Sequence, residues 1–182
     1  MDRQQLAHVL RAVCDVTGDP NVVVLGSQAI LGSYDEDILP PAATMSMEAD
    51  VAWLSDTGDR ERAETVNGAI GEMSGFHDAY GYYPEGISVE TATLPDGWRD
   101  RLHTWDLTSS QPAQPLFLDK YDLAVAKLAA GRDKDFDFVG ALIDNALLDV
   151  ERVRERASIL PSDVDQRVKD RISAWLGSRA TA

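Results

Sequence analysis

Val22-Val23-Val24-Leu25-Gly26-Ser27-Gln28-Ala29 and, further along, Ser46-Met47-Glu48-Ala49-Asp50-Val51-Ala52-Trp53-Leu54 are the two stretches on which the reading of this chain turns. The first is an apolar run that closes on Gly26-Ser27, the pattern of a buried strand that ends in a tight turn and feeds a helix. A turn of that kind presents free backbone N–H groups to a phosphate. In the second, two acids stand two residues apart on a strand pattern. A period of two puts both carboxylates on one face, about 6.5 Å apart along the backbone. At that separation the side chains can share a divalent cation. Together the stretches read as a metal-nucleotide site.

Outward from this pair, Leu6, Val9, Leu10, Val13 and Val16 recur at helical spacing, and Gly18-Asp19-Pro20 ends that helix before the first strand. After the strand over 22–25 and a short helix through Leu31, residues 33–43 carry Asp35-Glu36-Asp37 and Pro40-Pro41 and read as an exposed loop. The second strand spans about 48–54. Residues 59–74 form an amphipathic pattern that Gly75 stops. The stretch 76–86, with Tyr80-Gly81-Tyr82-Tyr83-Pro84-Glu85-Gly86, reads as an aromatic, glycine-rich loop whose tyrosines either stack a base or cap the fold. Ile87 to Leu94 alternates and is rich in β-formers, so a strand is expected there, with weaker strands at 104–107 and 116–118. From Asp119 onward the pattern is helical. Asp119 serves as N-cap with Asp122 three residues on, and Gly131 as C-cap; Asp133 caps the next helix, and two more follow near 150–158 and 162–177.

This order gives an α/β (α+β) fold: a mixed sheet with helices packed on it and a C-terminal helical bundle. The division expected is an α/β core over 1–118 and a helical region over 119–182, packed as one compact unit. The chain has 182 residues, 44% of them hydrophobic, enough to bury a sizeable core. Its one cysteine, Cys14, excludes an intrachain disulfide and a cysteine-cluster metal site, and reads as a small buried hydrophobe. No apolar stretch approaches membrane-spanning length and the first residues lack the basic start and apolar core of a signal peptide, so no membrane is implied and a cytoplasmic location is expected.

The formal net charge is −14, unevenly spread. Residues 1–98 carry a net −13 and residues 99–182 a net −1, with thirteen of the seventeen Lys and Arg in the second half. A polyanion such as RNA would therefore rest on the C-terminal half, while the acidic half would need metal ions to tolerate phosphate. His8, His77 and His103 are scattered without ligand spacing. The four tryptophans read as core or interface anchors.

Glu48 and Asp50 satisfy what Mg²⁺ asks of a protein: one or two carboxylates, with water and phosphate completing the octahedron. A third acid from a neighbouring strand often completes such a site as ligand or general base, and Glu90 on the 87–94 strand is the candidate. Lys127 is a lone charge in Leu123-Ala124-Val125-Ala126-Lys127-Leu128-Ala129-Ala130, so an anion, either phosphate or a carboxylate, is expected to meet it. The alternative is a lysine that snorkels to water. Arg132, at the break between two helices, can fork onto phosphate oxygens. Asp133 and Asp135 are favourable charges in a helix first turn.

The combination of Gly26-Ser27, Ser46-x-Glu48-x-Asp50, and Lys127 followed by Arg132-x-Lys134-Asp135 resembles the polymerase-β-type nucleotidyltransferase fold. More narrowly, it is similar to the AbiEii and MenT toxins of toxin-antitoxin systems and to related bacterial nucleotidyltransferase-like proteins. The resemblance covers most of residues 21–148. It implies that Gly26 and Ser27 hold a nucleoside triphosphate, that Glu48 and Asp50 bind Mg²⁺ or Mn²⁺, and that Lys127 and Asp135 complete the site. It also implies transfer of a nucleoside monophosphate to an acceptor such as the tRNA 3′ end, a cognate antitoxin partner, and phosphoregulation at Ser46. Two features depart from the family pattern. Glu48 stands where Asp is usual, and Phe138 stands where a second Asp is usual, with Asp137 one residue off. Two other readings remain: transfer to a protein side chain or a small molecule such as an aminoglycoside, and a degenerate binding module without catalysis.

Overall fold

The computed structural model describes residues 1–55, 60–105 and 107–179. The chain opens with α1 (Arg3–Thr17), whose start is set by a capping box between Asp2 and Gln5 and whose end is set by Gly18 at φ 66°. Leu6, Val9, Leu10 and Val13 on its inner face are fully buried. Each such side chain contributes about 1.5–3 kcal/mol relative to exposure.

Four strands follow: β1 (Val23–Val24), β2 (Glu48–Ala52), β3 (Tyr83–Gly86) and β4 (Leu116–Phe117), in the spatial order β3-β2-β1-β4. β1 runs antiparallel to β2, with Val24 opposite Val51, and parallel to β4, with Val24 opposite Phe117. β3 lies parallel to β2, with Glu48 opposite Tyr83 and Asp50 opposite Glu85. The strands are short, but backbone bonds extend the pairing: the Leu25 N–H donates to the Asp50 carbonyl at 3.1 Å, and the Leu118 N–H to that of Val24 at 3.1 Å. Along β2, Ala49 and Val51 are completely buried while Glu48 and Asp50 stay partly open, so one face of the strand is core and the other is acidic.

The short α2 (Pro41–Thr44) precedes β2, and the crossover from β2 to β3 carries α3 (Glu61–Ile70) and then α4 (Gly75–Tyr80). α3 packs on α1 and β3. Gly86 is required where β3 meets α3, because a Cβ there would lie 2.6 Å from the Ala63 Cα. The C-terminal helices are α5 (Lys120–Ala130), α6 (Asp133–Asp144), α7 (Val150–Ser158) and α8 (Gln166–Arg179). α5 contacts all three others, and Leu123, Val125, Leu128, Val139 and Leu142 join the same core as the sheet. The Arg171 guanidinium on α8 donates to the Ala129 carbonyl at 2.6 Å, satisfying a free carbonyl at the end of α5.

The architecture is the mixed α/β sheet with C-terminal helices that the sequence pattern implies. Several local expectations are overturned. Residues 87–94 form no strand: Ser88 caps a 3-10 turn at Val89–Thr91, and the third strand lies earlier, in the segment read as a loop. Pro84 sits in that strand without cost because β3 is an edge. Gly75 begins a helix rather than ending one, since Ser74 accepts from the His77 N–H and acts as N-cap. The helix after Gly26 is a 3-10 helix, Ser27–Gly32. The segment 33–43 includes a 3-10 turn, Glu36–Ile38, and part of α2. Asp133 is the first residue of α6 and not its cap, which falls on Arg132. Asp59 and Asp106, within the expected helix over 59–74 and strand over 104–107, lie outside the described residues; β4 occupies the other weak candidate. Cys14 is buried, as are Trp53 and Trp105. Tyr80 and Tyr82 pack with His8 and Phe76 into a ring cluster, the fold-capping alternative. No helix among the described residues is long and apolar enough to cross a membrane.

Candidate active site

The site begins with a backbone contact. Gly26 lies directly beneath the Asp50 carboxylate, so that a Cβ at this position would come within 1.4 Å of Asp50 Oδ2. Only glycine lets the end of β1 pass under the acid of β2. Gly26→Ala is accordingly expected to displace Asp50 and lower stability by about 1–3 kcal/mol, the range for overpacking at a tight contact. Urea melts should show the loss reversed when Asp50→Ala is added. An equal loss in both backgrounds would rule out the contact as its cause.

Asp50 is pushed up to about 6, first by burial and then by the neighbouring Glu48 charge, with Glu85 adding to the effect and Lys127 and Arg132 opposing it. Its carboxylate accepts no hydrogen bond among the described residues. Glu48, opposite Tyr83 and partly exposed, has Lys134 Nζ at 4.0 Å. Glu85, registered with Asp50, is raised by burial, Glu48 and Glu72, and the Tyr83 hydroxyl by burial and the same acids. The third acid beside Glu48 and Asp50 on the sheet is therefore Glu85. Glu90 corrects an expectation: it is exposed on the 3-10 turn, outside the ladder, with its N–H bonded to Ser88 Oγ. The signal for Glu85 was Tyr83 and Glu85 alternating around a proline that an edge strand tolerates.

These donors fit a hard divalent ion. Two carboxylates share a face, one of them mostly buried without a hydrogen bond and pushed toward protonation by its neighbours, which is the condition a cation relieves. Among the described residues no group of three or more His, Cys, Asp or Glu side chains is placed to hold a metal. An ion here would rest on Glu48 and Asp50, with phosphate oxygens and water as its other ligands.

Across from the acids, Lys127 near the end of α5 reaches Ser27. Its Nζ donates to Ser27 Oγ at 2.8 Å and stands 3.3 Å from Asp135 Oδ1. Asp135 is 1% exposed and also accepts from Arg132 Nε at 2.6 Å. Burial alone would raise Asp135, but the hydrogen bonds and charges of Arg132 and Lys127 outweigh it and hold the carboxyl below the usual range. Phe138 is buried with its ring 5.5 Å from Lys127 Nζ, so the departure at this position supplies a cation–π contact where an acid is usual; Asp137 is exposed on the pocket rim. The lysine expected to need an anion has a carboxylate, one of the two alternatives.

Two cavities flank Lys127. One of about 310 Å³ is lined by Ser27, Ser46, Glu48, Lys134 and Asp135. The other, about 160 Å³, lies against Gly26, Asp50, Arg132 and the apolar Ile87, Ala126 and Ala130. Ser46 Oγ donates to the Glu48 carbonyl at 3.3 Å, and Gln28 Nε2 donates to the Ser46 carbonyl at 2.9 Å, fixing the approach to β2. The structure thus brings Gly26, Ser27, Glu48, Asp50, Lys127, Arg132 and Asp135 around one pair of cavities, and leaves Glu90 on a turn outside the strand ladder.

A family described as nucleotidyltransferase of unknown function (DUF6036) matches residues 4–177, nearly the whole chain. The chain belongs to this family. The match spans both the sheet that carries the acids and the helices that carry Lys127, Arg132 and Asp135. No curated protein and no solved structure gives a significant match. The family description supports nucleotidyl transfer as the general chemistry and is silent on toxin type, metal and acceptor.

Proposed function

We propose that this nucleotidyltransferase-family protein transfers a nucleoside monophosphate from a nucleoside triphosphate to an acceptor hydroxyl, with Mg²⁺ or Mn²⁺ held by Glu48 and Asp50. The observation that carries the reading is the Asp50 carboxylate over Gly26, on the cavity that also reaches Lys127, whose ammonium holds Ser27. When bound, the ion would polarise phosphate oxygens and offset their charge. The larger cavity contains Glu48, Asp135 and Asp137 beside two lysines, so a triphosphate needs that added positive charge to enter. Ser27 and Lys127, now bonded to each other, would turn to phosphate oxygens. Asp135 holds Lys127 in place, Arg132 lies at the mouth of the smaller cavity, and Glu85 takes the acceptor proton.

The toxin role, with a cognate antitoxin partner, follows from the AbiEii and MenT resemblance. Its acceptor, the tRNA 3′ end, is supported by the weight of basic residues in the C-terminal half. A phosphate on Ser46 would compete with nucleotide for Lys127 and Lys134. The test is incubation of purified protein with each α-labelled triphosphate, total tRNA and Mg²⁺. Transfer and pyrophosphate release are expected in the wild type, with about a hundredfold loss or more in Asp50→Ala and Lys127→Ala. Absence of Mg-nucleotide binding by calorimetry would instead support a non-catalytic binding module, and an Asp50→Ala variant as growth-inhibitory as the wild type would remove a catalytic toxin role.

A further inference from the structure

The smaller of the two cavities beside Lys127, about 160 Å³ in volume, lies between α5 and the segment that follows β3. From α5 it is lined by Leu123, Ala126, Lys127 and Ala130, whose spacing of three and four residues puts them on one face of the helix. Leu123 is buried, as is Leu25 on the same lining, so the inner side is closed by aliphatic carbon. Lys127 turns away, its ammonium donating to Ser27 Oγ at 2.8 Å. What α5 leaves toward the opening is therefore two alanine methyls, with Ile87 contributed by the other segment.

The two cavities differ in character. The larger contains Ser27, Glu48 and the lysines Lys127 and Lys134, whereas the smaller contains Asp50 among mainly apolar walls, and Lys127 lines both. Glu48 and Asp50 share a face of β2, so a cation on the pair stands where one cavity gives way to the other. A nucleoside triphosphate is divided in the same way: a polyanion at one end, a flat heterocycle at the other, and the α-phosphorus between them. The smaller cavity has little to offer a phosphate, because its one guanidinium, that of Arg132, is already paired with Asp135 at 2.6 Å. Its size suits a ring. An apolar cavity of roughly 150 Å³ takes up one six-membered ring, and apolar walls with a few polar groups are the usual lining of a small-molecule site. Thr93 supplies such a group: it is half-buried on the lining and its hydroxyl makes no hydrogen bond among the described residues, while Thr91 Oγ1 already donates to the Ser88 carbonyl at 2.7 Å.

We propose that the smaller cavity seats the nucleobase of the donor triphosphate, with Ala126 and Ala130 admitting the ring by their small size and Thr93 meeting its polar edge. The assignment rests on the nucleotidyl-transfer reading above for the triphosphate, and on the cavity alone for the ring. The polyphosphate then extends past the acid pair toward Ser27 and the two lysines, and the base is held by burial against aliphatic side chains.

The experiment is calorimetric titration of the full-length protein in Mg²⁺ with ATP, CTP, GTP and UTP in turn, and with inorganic tripolyphosphate, which carries the polyanion and no base. Ala126→Leu and Ala130→Leu fill the cavity while keeping a strong helix former on α5. Ala130 is exposed, so its replacement leaves the core untouched. Each substitution is expected to weaken the best-bound nucleotide about tenfold or more, the effect of added methylenes in a fitted apolar pocket, with little change for tripolyphosphate and an unchanged circular dichroism spectrum. Thr93→Val should bring a smaller loss, again for the nucleotide alone. Equal weakening of nucleotide and tripolyphosphate, or unchanged nucleotide affinity in both leucine variants, would overturn the proposal. Labelled transfer separates the two readings. Transfer that survives both substitutions with unchanged KM for the nucleotide leaves nucleotidyl transfer standing and removes the base slot. Nucleotide binding that depends on Ala126 and Ala130, without pyrophosphate release from any triphosphate, keeps the slot and removes the transfer. A wild-type protein that binds neither nucleotide nor tripolyphosphate removes both.

Discussion

Asp50→Asn is expected to make the metal-free protein more stable at neutral pH and, under the proposed function, to abolish transfer. The folded state holds the Asp50 carboxyl at about 6 against an ordinary 3.8, through burial and the adjacent Glu48 charge. A carboxyl raised on folding binds its proton more tightly in the folded state than in the unfolded one. The ionised acid therefore weakens the fold: the penalty is absent below pH 4, grows between pH 4 and 6, and is complete above that window. Two pKa units correspond to about 3 kcal/mol, and Asn removes the charge with little change of shape. Urea denaturation of wild type and Asp50→Asn across pH 3.5–7.5 should show curves that coincide at the acid end and separate by roughly 2–3 kcal/mol at the neutral end. A gap that is constant with pH would mean that ionisation of Asp50 is not its source. Saturating Mg²⁺ should narrow the gap from the wild-type side, because a cation bound by the folded state alone stabilises it.

The second large effect is expected far from the acids. Asp122 is completely buried, and it accepts from Arg101 Nε at 2.8 Å, Arg101 Nη2 at 2.9 Å and Arg156 Nη1 at 2.7 Å; Arg156 also reaches Asp119 at 3.1 Å. Arg101 further donates to the Asp96 carbonyl at 2.9 Å. One carboxylate thus ties the 96–101 segment and α7 to the first turn of α5, the helix that carries Lys127. Asp122→Ala leaves Arg101 without a carboxylate and Arg156 with Asp119 alone, and because both guanidinium groups are partly open to water a loss of about 3 kcal/mol, the lower end for a broken buried pair, is expected. The denaturation midpoint should fall with the m-value unchanged. Replacing the whole cluster with apolar residues (Arg101→Met, Asp122→Leu, Arg156→Met) should recover most of it, since the penalty comes from the orphaned charges. A shift under 1 kcal/mol for Asp122→Ala would show that water satisfies the arginines and that the cluster is not a tie.

Asp122 also shows how local reasoning misassigns a residue. Its position three after Asp119 suggests a capping box, and Asp119 does accept from the Tyr121 and Asp122 N–H groups. The Asp122 side chain instead turns to two arginines, one 21 and the other 34 residues away in sequence. Glu85 and Glu90 make the same point in the sheet. Ile87 to Leu94 alternates as a strand does, yet Tyr83–Gly86 takes the place beside β2. Alternation records which side chains share a face; it does not record which segment supplies the edge, because strand pairing is decided between distant segments.

Within the sequence, local chemistry determined a good deal. The apolar run into Gly26-Ser27, the two-residue spacing of Glu48 and Asp50, the helical period around Lys127, and the caps at Asp119, Gly18 and Gly131 are short-range features, with energies that act over a few residues. Tertiary structure alone decided the rest. Asp50 sits over Gly26, Lys127 meets Ser27 across 100 residues, and Ile87 shares one cavity with Ala126 and Ala130. Those contacts arise from strand register and helix docking, which bring together groups that no local spacing relates.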